Sequence, residues 1–292
     1  MQLFGQLMLT ALVTTAAYSL VTVGFSMIFA VARVFHFAHA GLILVPGYVY
    51  YAAADTLGVW FALVVALLSG AVAGVLVEDG VYRTLRARSA SRMTLLVASL
   101  GVMSLLQGAV GAIWGTQPAY LKSPVSSGAF DLGGVRLTVL DLTVVVVAVV
   151  AVGALLLWIR HTQQGRAMLA VAEEPAVAAT VGISTGRTMR IATSVGTALG
   201  GLATLYLGIR SGITPALGDL PLMFAFAGAV VGGLGRIGGS VLGLALLVLI
   251  STVATHWVAT FWTLPIAFVV LVFFLFLRPE GLLGMPKRST AL

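Results

Sequence analysis

The 292 residues are 60% hydrophobic and only 9% charged, whereas a soluble domain carries about 25% charged residues. So little charge cannot cover a water-facing surface, which excludes a soluble enzyme and makes lipid the solvent for most of the chain. The net charge of +7 does not signal nucleic acid, because the basic residues lie between apolar runs, and the absence of cysteine excludes disulfides, thiolate chemistry and Cys-ligated metals.

Runs of about 20 apolar residues, the length that crosses a bilayer, recur from end to end. They are long and unbroken instead of short and alternating, which points to helices and not to barrel strands. The expected fold class is therefore all-α, a polytopic transmembrane helical bundle forming a single domain over residues 1–292. The first run, 7–29, has no charged leader and no convincing cleavage site, so it reads as a span.

The pattern then breaks at "VARVFHFAHAGLILVPGYVYY", residues 31–51. Arg33, His36 and His39 sit in or beside apolar sequence, and Gly41, Pro46 and Gly47 follow. Polar groups at membrane depth face a protein interior or a watery cavity, and broken helices of this kind aim half-helix ends at substrates. The plainer reading puts Arg33 and His36 at the headgroup level. His36 and His39 share a helix face, but with no cysteine or nearby carboxylate the stretch makes a poor metal site. A broken or re-entrant segment is expected near 31–54. If 36–54 is a full span the count is nine with the N-terminus outside; otherwise it is eight plus a partial crossing.

Further spans are expected near 59–77, 93–113, 139–159, 189–209, 221–234, 240–258 and 262–277. Of the sixteen Lys and Arg, twelve fall in one set of alternate loops: Arg83, Arg86, Arg88 and Arg92; Arg160, Arg166, Arg187 and Arg190; Arg236; Arg278, Lys287 and Arg288. The other set holds only Lys122, Arg136 and Arg210, with Arg33 unassigned. Positive residues favour the cytoplasm, which places the first set and the C-terminus inside. Residues 114–138 then face outward, with a small hairpin expected around Gly133 and Gly134. They read as a connector, or else as a docking surface for an external partner.

Between spans on the inner side lies "GRAMLAVAEEPAVAATVGIST", residues 165–185. Gly165 is expected to free the chain from the preceding span, and residues 166–173 to form one or two helical turns. Pro175 suits the first position of a second short helix, Glu173 and Glu174 complement its N-terminal end, and Gly182 suits its stop. The expected face of this element is Ala170, Ala172, Ala176, Ala178 and Ala179, small enough to lie close against another protein. Few large apolar residues and a pair of glutamates disfavour a helix resting on lipid. Downstream, "GAVVGGLGRIGGSVLGLAL", residues 228–246, carries seven glycines. It reads as tight helix packing or as a hinge on a translocation path.

These stretches together resemble the permease subunits of branched-chain amino acid-type ABC importers. "GRAMLAVAEEPAVAATVGIS" is similar to the loop that docks into the ATP-binding subunit in that family. "VFHFAHAGLILVPGYVYY" resembles its Asn-Phe-Ala-His-Gly segment, "VVGGLGRIGGSVLG" its glycine segment and "LRPEGLLG" its C-terminal segment. The resemblance covers residues 5–284. It implies an inner-membrane permease, C-terminus cytoplasmic, that pairs with a second homologous permease as a heterodimer, two ABC ATPase subunits and a periplasmic or extracytoplasmic solute-binding protein. The coupling segment would span 160–188. The resemblance assigns ATPase coupling to Gly165, Glu173, Glu174, Pro175, Ala178, Ala179 and Gly182. It assigns the translocation pathway to His36, Phe37, Ala38, His39 and Gly41, and to Gly232, Gly233 and Gly235. His36 stands where the family commonly has Asn, Ala40 where it has Gly, and Leu42 at a position often polar, departures that bear on the substrate; the class also moves urea, short amides and aromatic acids.

The sequence carries no Gly-x-x-x-x-Gly-Lys-Ser/Thr phosphate loop, so ATP and Mg belong on partner subunits and the chain itself is not an enzyme. A self-sufficient secondary transporter or channel is the alternative. A carrier would need acidic residues within spans, whereas all nine acids are expected in or near loops. A Ser–His hydrolase would need Ser26 near His36, or Ser251 near His256.

Overall fold

Helix α1 (Gln2–Ala32) runs through the middle of the bundle, and every residue from Ala16 to Ile28 is buried. A helix apolar on all sides is one surrounded by other helices. Its neighbours are α7 (Val139–His161), α10 (Thr185–Ser211), α11 (Asp219–Gly232) and α12 (Ile237–Ala254). The computed structural model describes residues 2–125, 128–131, 134–278 and 281–283. Gly133, Pro279, Glu280, Gly284, Lys287 and Arg288 lie outside the described residues. Lipid tails give helices no hydrophobic reason to associate, so close backbone packing must hold them. A Cβ on Gly24 of α1 would stand 2.6 Å from the Gly196 carbonyl oxygen of α10, so the two backbones touch there. Two polar residues inside α1 bond their own helix: Ser19 donates to the Ala16 carbonyl at 2.7 Å and Thr22 to that of Tyr18 at 2.9 Å.

Around this centre stand α4 (Val59–Val77), α6 (Arg92–Trp114) and α13 (Thr263–Leu277). Helix α4 continues through a π-helical turn, Glu78–Tyr82, into α5 (Arg83–Ala87). Their outward faces expose Trp60, Leu68, Leu76, Leu105 and Phe276, as helices in lipid do. Among the described residues, six helices are long and apolar enough to cross a membrane, and α11 and α13 are shorter apolar helices of 14 and 15 residues. The expected count of eight or nine full-length spans therefore resolves into six long helices, two shorter ones and one divided segment. Helix α11 is short because residues 213–218 fold back into the bundle first. There Ile213 is fully buried and exchanges backbone hydrogen bonds of 2.8 and 3.0 Å with Ala119.

The divided segment lies where the sequence places a break. Helix α1 stops at Ala32, Arg33 takes a left-handed conformation with φ of 53°, and α2 (Ala38–Leu42) and α3 (Leu44–Leu57) follow around Ile43. Pro46 sits in the first turn of α3, where its missing N–H costs nothing, and packs into the notch left by Gly70 of α4 and Gly201 of α10. At its start the segment touches α8 (Gln163–Glu173) through Arg33. At its end Asp55 pairs with Lys122, and the Tyr50 hydroxyl donates to the Lys122 carbonyl at 2.8 Å. It thus traverses the bundle instead of turning back.

The end of the bundle marked by Lys122 also holds the α1 N-terminus and the expected hairpin, β1 (Ala129–Asp131) paired antiparallel with β2 (Arg136–Thr138). The Arg136 amide donates to Gln6 Oε1 at 2.9 Å. Thr138 and Asp141 form a capping box on α7, and Asp141 accepts from Tyr206 at 2.8 Å and from Arg210, which ties α7 to α10. The opposite end carries α8, α9 (Pro175–Thr180) and Arg236.

Helices α11 and α12 form a second close backbone crossing. A Cβ on Gly232 would collide with the Gly239 carbonyl, and one on Gly228 would lie 2.8 Å from the Leu244 backbone. Gly232→Val should lower stability in detergent by about 1–3 kcal/mol or prevent accumulation of the protein, as overpacking does. Gly238→Val, at a position with nothing within 4 Å, should leave the thermal melting curve nearly unchanged, and the two melts measured side by side check the contact.

Candidate functional site: the Ala-rich helix pair and the end of helix α1

The twenty-odd residues that interrupt the apolar sequence form two helices set at an angle. Helix α8 begins at Gln163, earlier than the expected 166, and makes three turns, with the Thr162 hydroxyl accepting from the Gly165 amide at 3.0 Å. A Cβ on Gly165 would collide with the Ile159 backbone. The glycine therefore lets α8 lie tightly against the end of α7 and does not loosen the chain, as the sequence alone suggested. Glu174 is extended, Pro175 opens α9 at its first position as expected, and Gly182 closes it with φ of 82°. The Gly182 amide donates to Ala179 and the Ile183 amide to Ala178, at 3.1 and 3.0 Å. That pair of bonds is a Schellman stop, and only a glycine takes its left-handed position without strain.

Burial divides this element differently from the expected alanine face. Ala178 is 3% exposed and packs inward with Met168, Val171 and Met27. It secures α9 to the bundle and presents nothing outward. The outward face holds Glu173, Glu174, Ala176 and Ala179 together with Leu169, Val177 and Val181, at 47%, 60% and 71% exposure. Sequence reasoning passed over these three aliphatic residues. The four-residue spacing of Val177 and Val181 was the available signal for an apolar edge on α9; Leu169 lies on α8, across the extended Glu174.

Arg33, unassigned in the sequence, proves to be the link between two of the quoted stretches. Its guanidinium donates to the carbonyl of Ala172 and, at 3.5 Å, to that of Glu173. These are orphan carbonyls at the C-terminal end of α8, where a cation also meets the negative end of the helix dipole. The end of α1 is thereby fastened to the elbow between α8 and α9.

Next to Arg33 the remaining residues of the first stretch turn inward. His36 is 5% exposed and lies against Tyr82, ring centroids 4.6 Å apart. The Phe37 amide donates to Ser99 Oγ at 3.2 Å, and Ala38 packs with Tyr82 and Leu95. His39 is fully buried beside Gly200 of α10, and Gly41 meets the backbone of Met103 in α6. Below them Glu78 pairs with Arg86, and Asp79 lies 3.6 Å from both Arg83 and Arg190. Glu78 and Asp79, expected in or near a loop, lie instead within the continuous helix from Val59 to Ala87. Asp219, next to a turn as expected, opens α11 and accepts from Gln107 at 2.6 Å, seven residues inside the end of α6. Among the described residues Ser26 and Ser251 have no hydrogen-bond partner, so neither pair that a Ser–His hydrolase would need forms.

The glycine stretch and the C-terminal stretch also meet. Gly233 and Gly235 form the α11–α12 turn with φ of 103° and 82°. The Leu282 and Leu283 amides donate to the carbonyls of Val231 and Gly232 at 2.8 and 3.3 Å, and Arg236 donates to the Leu283 carbonyl. Residues 281–283 therefore cap α11. Gly232, Gly233 and Gly235 are arranged for close packing and a capped turn, and the hinge reading gains no geometric support.

The family described as "Branched-chain amino acid transport system / permease component" matches residues 7–277. The chain is 28% identical to the high-affinity branched-chain amino acid transport system permease protein LivH of Escherichia coli (strain K12), over 97% of its own length and 96% of that protein. It is 26% identical to the corresponding protein BraD of Pseudomonas aeruginosa over the same shares. It is 30% identical to the autoinducer 2 import system permease protein LsrC of Enterobacter sp. (strain 638), over 62% of this chain and 48% of that one. No solved structure matches the chain.

Arg33→Ala should release the end of α8. A cation at a helix C-terminus contributes about 0.3–1 kcal/mol, so amide exchange in residues 170–174 should quicken up to roughly fivefold while exchange in α1 stays unchanged. Hydrogen–deuterium exchange read by mass spectrometry checks both halves of that statement.

Proposed function

The chain belongs to the branched-chain amino acid transport system permease family, and from that premise we propose that it is one membrane subunit of an ATP-driven importer for branched-chain or similarly hydrophobic amino acids. The observation that carries the coupling half of this reading is the α8–α9 pair. It projects at the end of the bundle with Leu169, Val177 and Val181 exposed, while Ala178, Met168 and Val171 hold it from beneath. An apolar edge flanked by Glu173 and Glu174 suits a cleft on a soluble ATPase better than lipid. Because Arg33 joins the elbow to α1 and α10 starts just after α9, a push on the pair would reach the two central helices directly. ATP and Mg stay on the ATPase partners, and this chain does no chemistry.

In this reading α8 and α9 face the cytoplasm, and the segment of α2 and α3 counts as one crossing. The chain then crosses nine times, with the N-terminus and the β-hairpin outside and the C-terminus inside, in the bacterial inner membrane. A second homologous permease, two ATPase subunits and an extracytoplasmic solute-binding protein complete the importer. The distribution of basic residues supports this orientation.

Two measurements test the proposal. Purification in gentle detergent should bring down an ATPase and a second permease. Val177→Asp with Val181→Asp should lose the ATPase and at least tenfold of leucine uptake while inserting normally; unchanged uptake would reject the docking face. Since the chain has no cysteine, single substitutions report sidedness cleanly. Ser123→Cys should react with an impermeant maleimide from outside intact cells, and Thr180→Cys only after the membrane is opened; the reverse pattern would invert the topology.

A further inference from the structure

The charged and aromatic residues beneath the α1–α2 break line a narrow, partly open cleft. One wall is apolar and comes from Ile28, Val31, Leu95, Met189 and Ala192. The other is polar and comes from His36, Glu78, Tyr82 and Arg86. Glu78 and Tyr82 stand on the π-helical turn, a distortion that often marks functional positions.

Two features of this cleft have no structural explanation. Both ring nitrogens of His36 are buried without a hydrogen-bond partner among the described residues, which is costly unless something occasionally supplies one. Glu78 is 4% exposed and opposes Arg86, yet a buried ion pair adds little net stability over an apolar pair. A paired carboxylate and guanidinium beside an aliphatic wall is, however, the complement of a zwitterion that carries an apolar side chain.

We propose that this cleft is a binding station for an α-amino acid zwitterion, with Arg86 taking the carboxylate, Glu78 the ammonium, and the wall of Ile28, Val31, Leu95 and Met189 the aliphatic side chain. The inference rests on the amino acid importer reading and adds the site to it. Arg86 and Glu78 exchange each other for the ligand's two charges, so no charge is left unpaired at either stage. The resident ion pair competes with the ligand and keeps binding weak, which suits a station that must release its cargo. As it stands the cleft has free room for only a water molecule or two, and the side chain of Arg86 must swing aside for entry. That side chain is partly exposed, so it can move without repacking the core. His36 offers the bound ligand a donor or acceptor that the protein itself does not use. The wall at Val31 lies two residues before Arg33, and the wall at Met189 four residues into α10. Movement of α8 and α9 would therefore alter the cleft directly.

The test uses the complex that co-purifies with the full chain, carrying Met189→Cys as its one cysteine in this subunit, and follows N-ethylmaleimide labelling of that residue. L-Leucine at millimolar concentration should slow labelling at least threefold. 4-Methylpentanoate, which lacks the ammonium, 3-methylbutylamine, which lacks the carboxylate, and inorganic phosphate should each slow it far less. The double variant Glu78→Gln with Arg86→Gln, which leaves no orphan charge, should abolish protection and raise the KM for leucine uptake about tenfold with normal membrane insertion. Leucine uptake by the Met189→Cys complex itself without protection of the cysteine would overturn the cleft assignment and leave the importer reading standing. Equal protection by phosphate or by either single-charge analogue would also overturn it. Absence of uptake for leucine, isoleucine and valine together would reject the importer reading, and the cleft assignment with it.

Discussion

The contact on which the rest depends is the backbone meeting of α1 and α10 at Gly24 and Gly196. In lipid, apolar side chains gain nothing by leaving one another or by coming together, so helices are held by close van der Waals packing and by polar contacts. The two glycines allow the centres of the two most buried of the six long helices to touch. Everything at the α8 end hangs from this pair. Helix α1 leads into Arg33 and the cleft, and α10 follows directly from α9 and supplies the facing wall with Met189, Ala192 and Thr193.

A second constraint operates at helix ends. Backbone groups inside or near a membrane must be satisfied by the protein itself, and here two separate stretches do this for two others. Arg33 satisfies the end of α8, and residues 281–283 satisfy the end of α11. Of the four stretches that carry the family resemblance, the glycine and C-terminal ones meet directly, and Arg33, just before the first, meets the Ala-rich one, all at one end of the bundle. That accounts physically for their occurring together in one chain, and it ties the α8–α9 pair to the centre by a charged hydrogen bond in addition to the short connections on either side.

Much of the site was legible from residues alone. Pro175 and Gly182 mark the start and stop of α9 because their backbone restrictions are local, and the structure places both where those restrictions act. The break after Ala32 is likewise written in Arg33, His36 and the following glycine and proline. What could not be read was direction. The five alanines looked equivalent, but Ala178 faces the bundle and Val177 and Val181 face away, because the rotation of a six-residue helix is set by what Ile183 and Met168 pack against. Gly165 was legible as special and wrong in kind, since a close approach and a loose joint both call for glycine.

Composition and hydropathy by themselves determined that this chain is a helical membrane protein, because lipid length and backbone satisfaction leave few options for such a sequence. They also determined where the regular pattern fails. Only the tertiary structure decided which failures belong together. Arg33 and Ala172 are 139 residues apart, and Arg236 and Leu283 are 47 apart. Glu78, Tyr82 and Arg86 repeat at every fourth position along one helix, a spacing the sequence displays, but their meeting with His36 depends on how α1 ends and how α4 crosses α10. Local chemistry fixes turns and caps, whereas the pairing of distant polar residues is settled by helix packing, which no single segment encodes.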